Sequence, residues 1–333
     1  EWEPRQARAC AFTVASDGDS AMLLAAENLY RQLLIERPDD ARANSGLAEA
    51  MKQSGQFQQA AELFERTGNL RSAGWAYVSA REYGAARALA DREIAKAPTA
   101  GMLKLKIYVE AFGFEDLDAA QAASNRLTAA DLMDDENVAE AVRLAVLRRD
   151  AGEILRLMKA FPGEKIDSVI FRGSKHIYIG AAYSLLSGRT EAARSEWRVA
   201  LQQTEAQLKI SASDPATLRA AADLHALLGD KEAATSLLRQ ARSLAGFEPD
   251  TVTLATVQTE ITLGHVEEAM ARMVRPTREP SPSGHAWARY HFRFDPLRGD
   301  PRFEKFLRDT LPPGAKPFAD DAPATGLMPG AKP

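Results

Sequence analysis

Leu185-Leu186-Ser187-Gly188-Arg189-Thr190-Glu191-Ala192-Ala193 is echoed by Leu227-Leu228-Gly229-Asp230-Lys231-Glu232-Ala233-Ala234. A third copy follows as Thr262-Leu263-Gly264-His265-Val266-Glu267-Glu268-Ala269. Each ends an apolar helix, breaks at glycine and opens a new helix on Glu-Ala. The glycines stand 41 and 35 residues apart, in the range where self-similarity marks a solenoid of helical hairpins. Such folds bind more often than they catalyse.

Composition narrows the field. Hydrophobic residues make up 45% and charged ones 26% of the 333 residues, the balance of a folded chain rather than a disordered one. A formal charge of −4 is too mild to point to nucleic acid or an anionic membrane as the main partner. No stretch approaches the roughly 18 apolar residues of a membrane helix, so no membrane insertion is expected. Cys10 is alone, which excludes an internal disulfide and suits a reducing, cytoplasmic setting. The chain starts at Glu1 without a signal-peptide pattern. It reads as a fragment of a larger protein, with a mature exported chain as the alternative.

Helical periodicity runs along the chain. Met22, Leu23, Ala26, Leu29, Tyr30, Leu33 and Leu34 follow the spacing of one buried helix face. Helix pairs are predicted over 41–54 with 57–66, 71–81 with 85–97, 103–112 with 117–127, and 138–148 with 153–161. Sustained strand-type alternation is absent, so essentially no sheet is expected.

On these residues the chain resembles a tetratricopeptide repeat protein. Leu47, Ala48, Gly55, Phe57, Ala60 and Phe64 fit one unit of the pattern, and Gly74, Tyr77, Tyr83, Ala86 and Pro98 the next. Ala181, Gly188, Ala193, Trp197 and Ala200 fit a later unit, followed by Ala222, Gly229, Ala234, Leu238 and Ala241. Small residues allow two backbones to approach, so a bulky side chain at Ala193 or Ala234 would separate a hairpin. Arg81 stands where the pattern has a turn glycine, and the units over 101–162 are degenerate. The resemblance implies an all-α, right-handed superhelical solenoid of about seven hairpins.

A second resemblance lies further on. Phe294-Asp295-Pro296-Leu297-Arg298-Gly299-Asp300-Pro301-Arg302-Phe303-Glu304-Lys305-Phe306-Leu307 resembles the closing segment of bacterial multidomain signalling proteins. In those, an upstream kinase, cyclase or winged-helix effector precedes the repeats. The residues themselves read as a cap: Asp295 and Asp300 as N-caps, Pro296 and Pro301 at first helical positions, Phe303, Phe306 and Leu307 as an apolar face. The expected organisation is a lead-in over 1–18, repeats over 19–275, the cap over 276–311 and an extended Pro/Gly/Ala-rich tail over 312–333.

Familiar catalytic motifs are absent from the sequence. No Gly-x-Gly or Gly-x-x-x-x-Gly-Lys loop, His-Glu-x-x-His or Gly-x-Ser-x-Gly phrase is present. The chain is therefore expected to be no enzyme and to need no cofactor or metal. His225 reads as core and His265 as solvent-facing. His285 and His291 lie near Asp295 and Asp300 with spacing too irregular for a metal site. His176, beside Lys175, opens a helix that could hold an anion, although Ser174 as a simple N-cap accounts for the same residues. Residues 270–309 carry nine basic and five acidic side chains, with Trp287, Tyr290, Phe292 and Phe294 among Arg289 and Arg293. That mixture can stack on single-stranded nucleic acid. It fits better an aromatic cap with its arginines turned outward, because the chain as a whole is acidic and no RNA-binding fold is visible.

In a hairpin solenoid the first helix of each pair lines the concave face. Outward positions there are Arg42, Glu49, Arg71, Trp75, Lys175, Tyr178, Arg219, Asp223 and Gln258, a mixture suited to a peptide or helix. The family's Lys/Asn groove for a chaperone's terminal carboxylate is not matched: Ser45/Glu49, Arg71/Trp75, Tyr178/Ala182, Arg219/Asp223 and Leu254/Gln258 stand at those positions. The expected partner is a protein or peptide, including an upstream domain of the same polypeptide. A sensor regulating an upstream enzyme and a single-strand binder are the alternatives.

Overall fold

Short polar side chains start most of the helices. Asp40, Asn69, Asp116, Asp134, Asp150, Asp214 and Asp230 each accept a hydrogen bond from a first-turn backbone N–H of the helix they precede, satisfying donors that the helix itself cannot. The computed structural model describes residues 2–15, 19–168, 171–244, 254–273 and 282–315. The N-terminal half comprises α1 (Trp2–Ala15), α2 (Ser20–Glu36), α3 (Ala41–Gln53), α4 (Phe57–Arg66), α5 (Leu70–Ser79), α6 (Tyr83–Lys96), α7 (Ala100–Tyr108), α8 (Leu117–Ser124), α9 (Asp135–Leu147) and α10 (Ala151–Ala160). Then follow α11 (His176–Leu185), α12 (Thr190–Ile210), α13 (Pro215–Leu228), α14 (Lys231–Ser243), α15 (Leu254–Leu263), α16 (Val266–Met273), α17 (Pro282–Tyr290) and α18 (Pro301–Asp309). A π turn, Val109–Gly113, continues α7, and a 3-10 turn, Phe292–Leu297, joins α17 to α18.

From α3 to α16 the helices pair as seven successive hairpins, an all-α helical solenoid as the sequence predicts. One local difference appears. β1 (Lys165–Asp167) and β2 (Arg172–Ser174) pair antiparallel between α10 and α11, Ile166 opposite Gly173. Three-residue strands are too short to show alternation, which is why periodicity misses them. Residues 1–18, read as a lead-in, contain α1, whose Arg5 pairs with Glu36 of α2 at 2.7 Å. Residues 316–333, most of the expected tail, lie outside the described residues.

Every one of the seven hairpins turns through a left-handed residue. These are Gly55, Arg81, Glu115, Arg149, Gly188, Gly229 and Gly264, with φ between 54° and 89°. The next amide closes most of the turns by donating five residues back: Gln56 to Met51, Glu82 to Tyr77, Asp150 to Ala145, Asp230 to His225 and His265 to Glu260, at 2.8–2.9 Å. In the third hairpin Asp116 reaches six residues back, to Glu110, because the π turn inserts one residue. Arg81, Glu115 and Arg149 stand 34 residues apart in succession, the tetratricopeptide period. The middle units are therefore degenerate in residue type and regular in spacing.

Small residues sit where helices cross. Ala48, Ala60, Ala86, Ala193, Ala222 and Ala234 are fully buried or nearly so. A Cβ on Gly180 of α11 would lie 2.2 Å from Nε1 of Trp197 in α12, so the indole occupies the space that the missing side chain leaves.

The C-terminal segment covers two surfaces. Phe294, Leu297, Phe303 and Leu307 join Val257, Ile261, Ala269 and Met270 of the last hairpin in one buried cluster. Ala286 belongs to the core of the middle hairpins, with Trp287, Tyr290 and Phe292 packed against it. α17 thus crosses back onto the π turn and α9. As a result α9 is buried around nearly its whole circumference, from Asn137 to Leu147 with only Arg143 half-exposed.

Candidate functional site

The nine residues expected along the first helices end up in different surroundings. Arg42 on α3 and Arg71 on α5 are exposed, and neither makes an ion pair among the described residues. Glu49, half-buried on α3, holds Lys52 at 2.8 Å. Trp75 on α5 is half-buried edge-on to Tyr108, ring centroids 5.2 Å apart. Lys175, ahead of α11, pairs with Glu164 at 3.0 Å.

Tyr178 and Gln258 are not outward: they are 7% and 6% exposed. Tyr178 packs on Phe171 with centroids 4.7 Å apart, and burial pushes its hydroxyl pKa upward. Arg219 on α13 is half-buried, and Asp223, one turn on, is already occupied. Arg293 grips the Asp223 carboxylate with two guanidinium hydrogen bonds of 2.6 and 2.9 Å, and the Thr259 hydroxyl donates to it at 2.7 Å.

Arg293 belongs to a strap, residues 285–298, that the first helices and the turn edge hold at several stations. Glu115, fully buried, receives both His285 Nδ1 and the Arg289 guanidinium. The other His285 nitrogen lies 2.7 Å from the Leu307 carbonyl, tying the third turn to α18. Arg149 donates to both oxygens of Asp295, at 2.5 and 2.8 Å, and its Nε donates to the Tyr290 carbonyl at 3.1 Å. Glu115 and Arg149 are two of the three non-glycine left-handed turn residues. Sequence reading missed both as functional; the 34-residue spacing from Arg81 is the signal that finds them.

Two readings of this segment change. Asp295 is not an N-cap: it lies inside the 3-10 turn, whose cap is His291, accepting from the Arg293 amide at 3.1 Å. Asp300 does cap α18, with Pro301 at its first position. Nor do Arg289 and Arg293 turn outward; both are spent on carboxylates. His291 stacks on Phe292 with centroids 4.6 Å apart, and burial, with Arg293 and Arg149 adding to it, holds its pKa well below the usual imidazole value.

The remaining histidines stand beside carboxylates or in solvent. His176 stands between two carboxylates, Glu196 at 2.5 Å and Glu164 at 3.1 Å, so its surroundings repel an anion. Ser174 accepts from the His176 amide at 3.2 Å but stands at the end of β2, one residue ahead of the helix's N-cap, which is Lys175 rather than Ser174. His225, half-buried rather than core, faces Asp230 at 3.2 Å, and His265 is exposed. No group of three or more His, Cys, Asp or Glu side chains among the described residues is placed to hold a metal. No described helix is long and apolar enough to cross a membrane.

The class is therefore that of an all-α helical solenoid with a strap across its middle. Within it, the tetratricopeptide repeat family model matches residues 22–71, from α2 to the first residues of α5. That repeat is a non-catalytic protein-interaction module. No curated protein matches the chain.

Proposed function

We propose that the chain is a non-catalytic docking module that takes a peptide or short helix of a protein partner along α3 and α5. One observation carries the reading. Of the nine first-helix residues, Arg42 and Arg71 are the ones left both exposed and unpaired, and both lie in the stretch matching the tetratricopeptide repeat. Trp75, one turn beyond Arg71, adds a half-buried aromatic edge. Exposed guanidinium groups beside an aromatic suit a segment that brings carboxylates or backbone carbonyls and one apolar anchor.

The partner is a protein segment, with a domain of the same polypeptide as one source. The resemblance of the closing phrase to bacterial signalling proteins supports a signalling role and that source. Single-stranded nucleic acid is a poorer fit, because Arg289 and Arg293 are engaged by Glu115 and Asp223 and their aromatic neighbours are packed in the core.

Photo-crosslinking residues placed singly at 42, 71 and, as an outer-face control, at 62 test the reading. Crosslinks to one partner from 42 and 71 and none from 62 are expected, and Arg42→Glu/Arg71→Glu should weaken that binding at least about tenfold. Crosslinks from 62 alone would overturn it.

A further inference from the structure

The strap is held by residues that the turn itself would not select. Four of the seven hairpin turns spend a glycine on the left-handed position, whereas the third and fourth spend Glu115 and Arg149. A strained backbone persists where something else over-determines it. Here both side chains meet the same segment, about 140 to 180 positions away in sequence, and Asp223 on α13 holds the next station through Arg293.

The face under the strap also differs from an ordinary core. Arg143 of α9 lies over the rings of both Phe112 and the strap's Trp287, and bonds Glu140 of its own helix at 3.2 Å. Glu140, 2% exposed, keeps one carboxylate oxygen without a hydrogen-bond partner. A surface buried permanently would be expected to be apolar or fully satisfied; this one carries the charges of a surface that can meet water.

We infer that residues 285–298 form a releasable latch on the π turn, α9 and α15, tied to α13 through Arg293. Its release opens that face to a partner helix of the same chemistry, with arginine or histidine beside Trp and Tyr. The latch and the α3–α5 groove are separate surfaces, and the test below uses no outside partner, so either reading can fail alone.

The test leaves the face intact and changes the strap. In the full chain, Asp295→Arg removes the Arg149 station. Backbone amides of 284–295, the π turn and α9 should then exchange roughly ten- to a hundredfold faster, with α2–α6 unchanged. A labelled peptide of residues 282–298 with the natural sequence should bind this variant at least about tenfold more tightly than the unaltered chain. Arg149→Asp/Asp295→Arg should restore slow exchange. If Asp295→Arg unfolds the whole chain, Arg289→Gln, a milder change on the strap, takes its place in both measurements. Unchanged exchange, failure of the double variant to recover, or a loosened strap whose face does not bind the peptide would each overturn the latch.

Discussion

At positions 115 and 149 a charged side chain sits on a left-handed backbone that costs an L-residue roughly 1 kcal/mol. Arg149→Gly removes that cost and also removes the two bonds to Asp295 and the one to Tyr290. Charge-assisted, half-buried bonds of this kind outweigh the strain, so urea unfolding should show a net loss of about 1 kcal/mol; a gain would show that the backbone decides. Gly180→Ala is the opposite case, since its new Cβ meets Trp197. Overpacking predicts a loss of roughly 1–3 kcal/mol, and an unchanged midpoint would mean that the indole moves freely. The glycine turns at 188, 229 and 264 were legible because glycine is the chemical signature of a positive φ. Glu115 and Arg149 were not, because nothing in a charged side chain announces that conformation.

Caps and the strap decide the behaviour of the elements. Asp214 accepts from the Thr217 hydroxyl and from the Thr217 and Ala216 amides at the start of α13, and these bonds, the hydroxyl's first, hold its pKa below the usual carboxylate value. Asp214→Ala should cost about 1 kcal/mol in thermal or urea unfolding and Asp214→Asn much less; equal losses would remove the cap from the explanation. His291 sets a pH dependence. Its pKa is lowered in the fold, so the unfolded chain binds the additional proton. The strap's stability is then complete above the ordinary imidazole pKa of about 6.5 and lost as pH falls from there toward the lowered value. Unfolding midpoints should fall between pH 7 and 5, and His291→Asn, which can still cap the turn, should flatten this slope. The cap itself was readable in Asp300, Pro301, Phe303 and Leu307, where local spacing carries the signal. The role of Asp295 was not, because its partner Arg149 lies 146 residues away and leaves no periodic trace.

Across the whole molecule the strap divides the first-helix face. It packs on the π turn, α9 and α15, reaches Asp223 of α13 through Arg293, and leaves Arg42 of α3 and Arg71 of α5 exposed, which is why Asp223 is occupied and the two arginines are not. Hairpin periodicity predicted outward positions at α3, α5, α11, α13 and α15 alike, with no sign of what covers any of them. Tyr178 and Gln258 show the limit of that reading, because helical register says which way a side chain points and not what lies against it. The most direct measurement is hydrogen exchange across the unaltered full chain. The fold described here predicts that amides of residues 284–295 and of α9 are among the slowest to exchange, slower than those of α3 and α5. Exchange of 284–295 at the rate of a free peptide would contradict it.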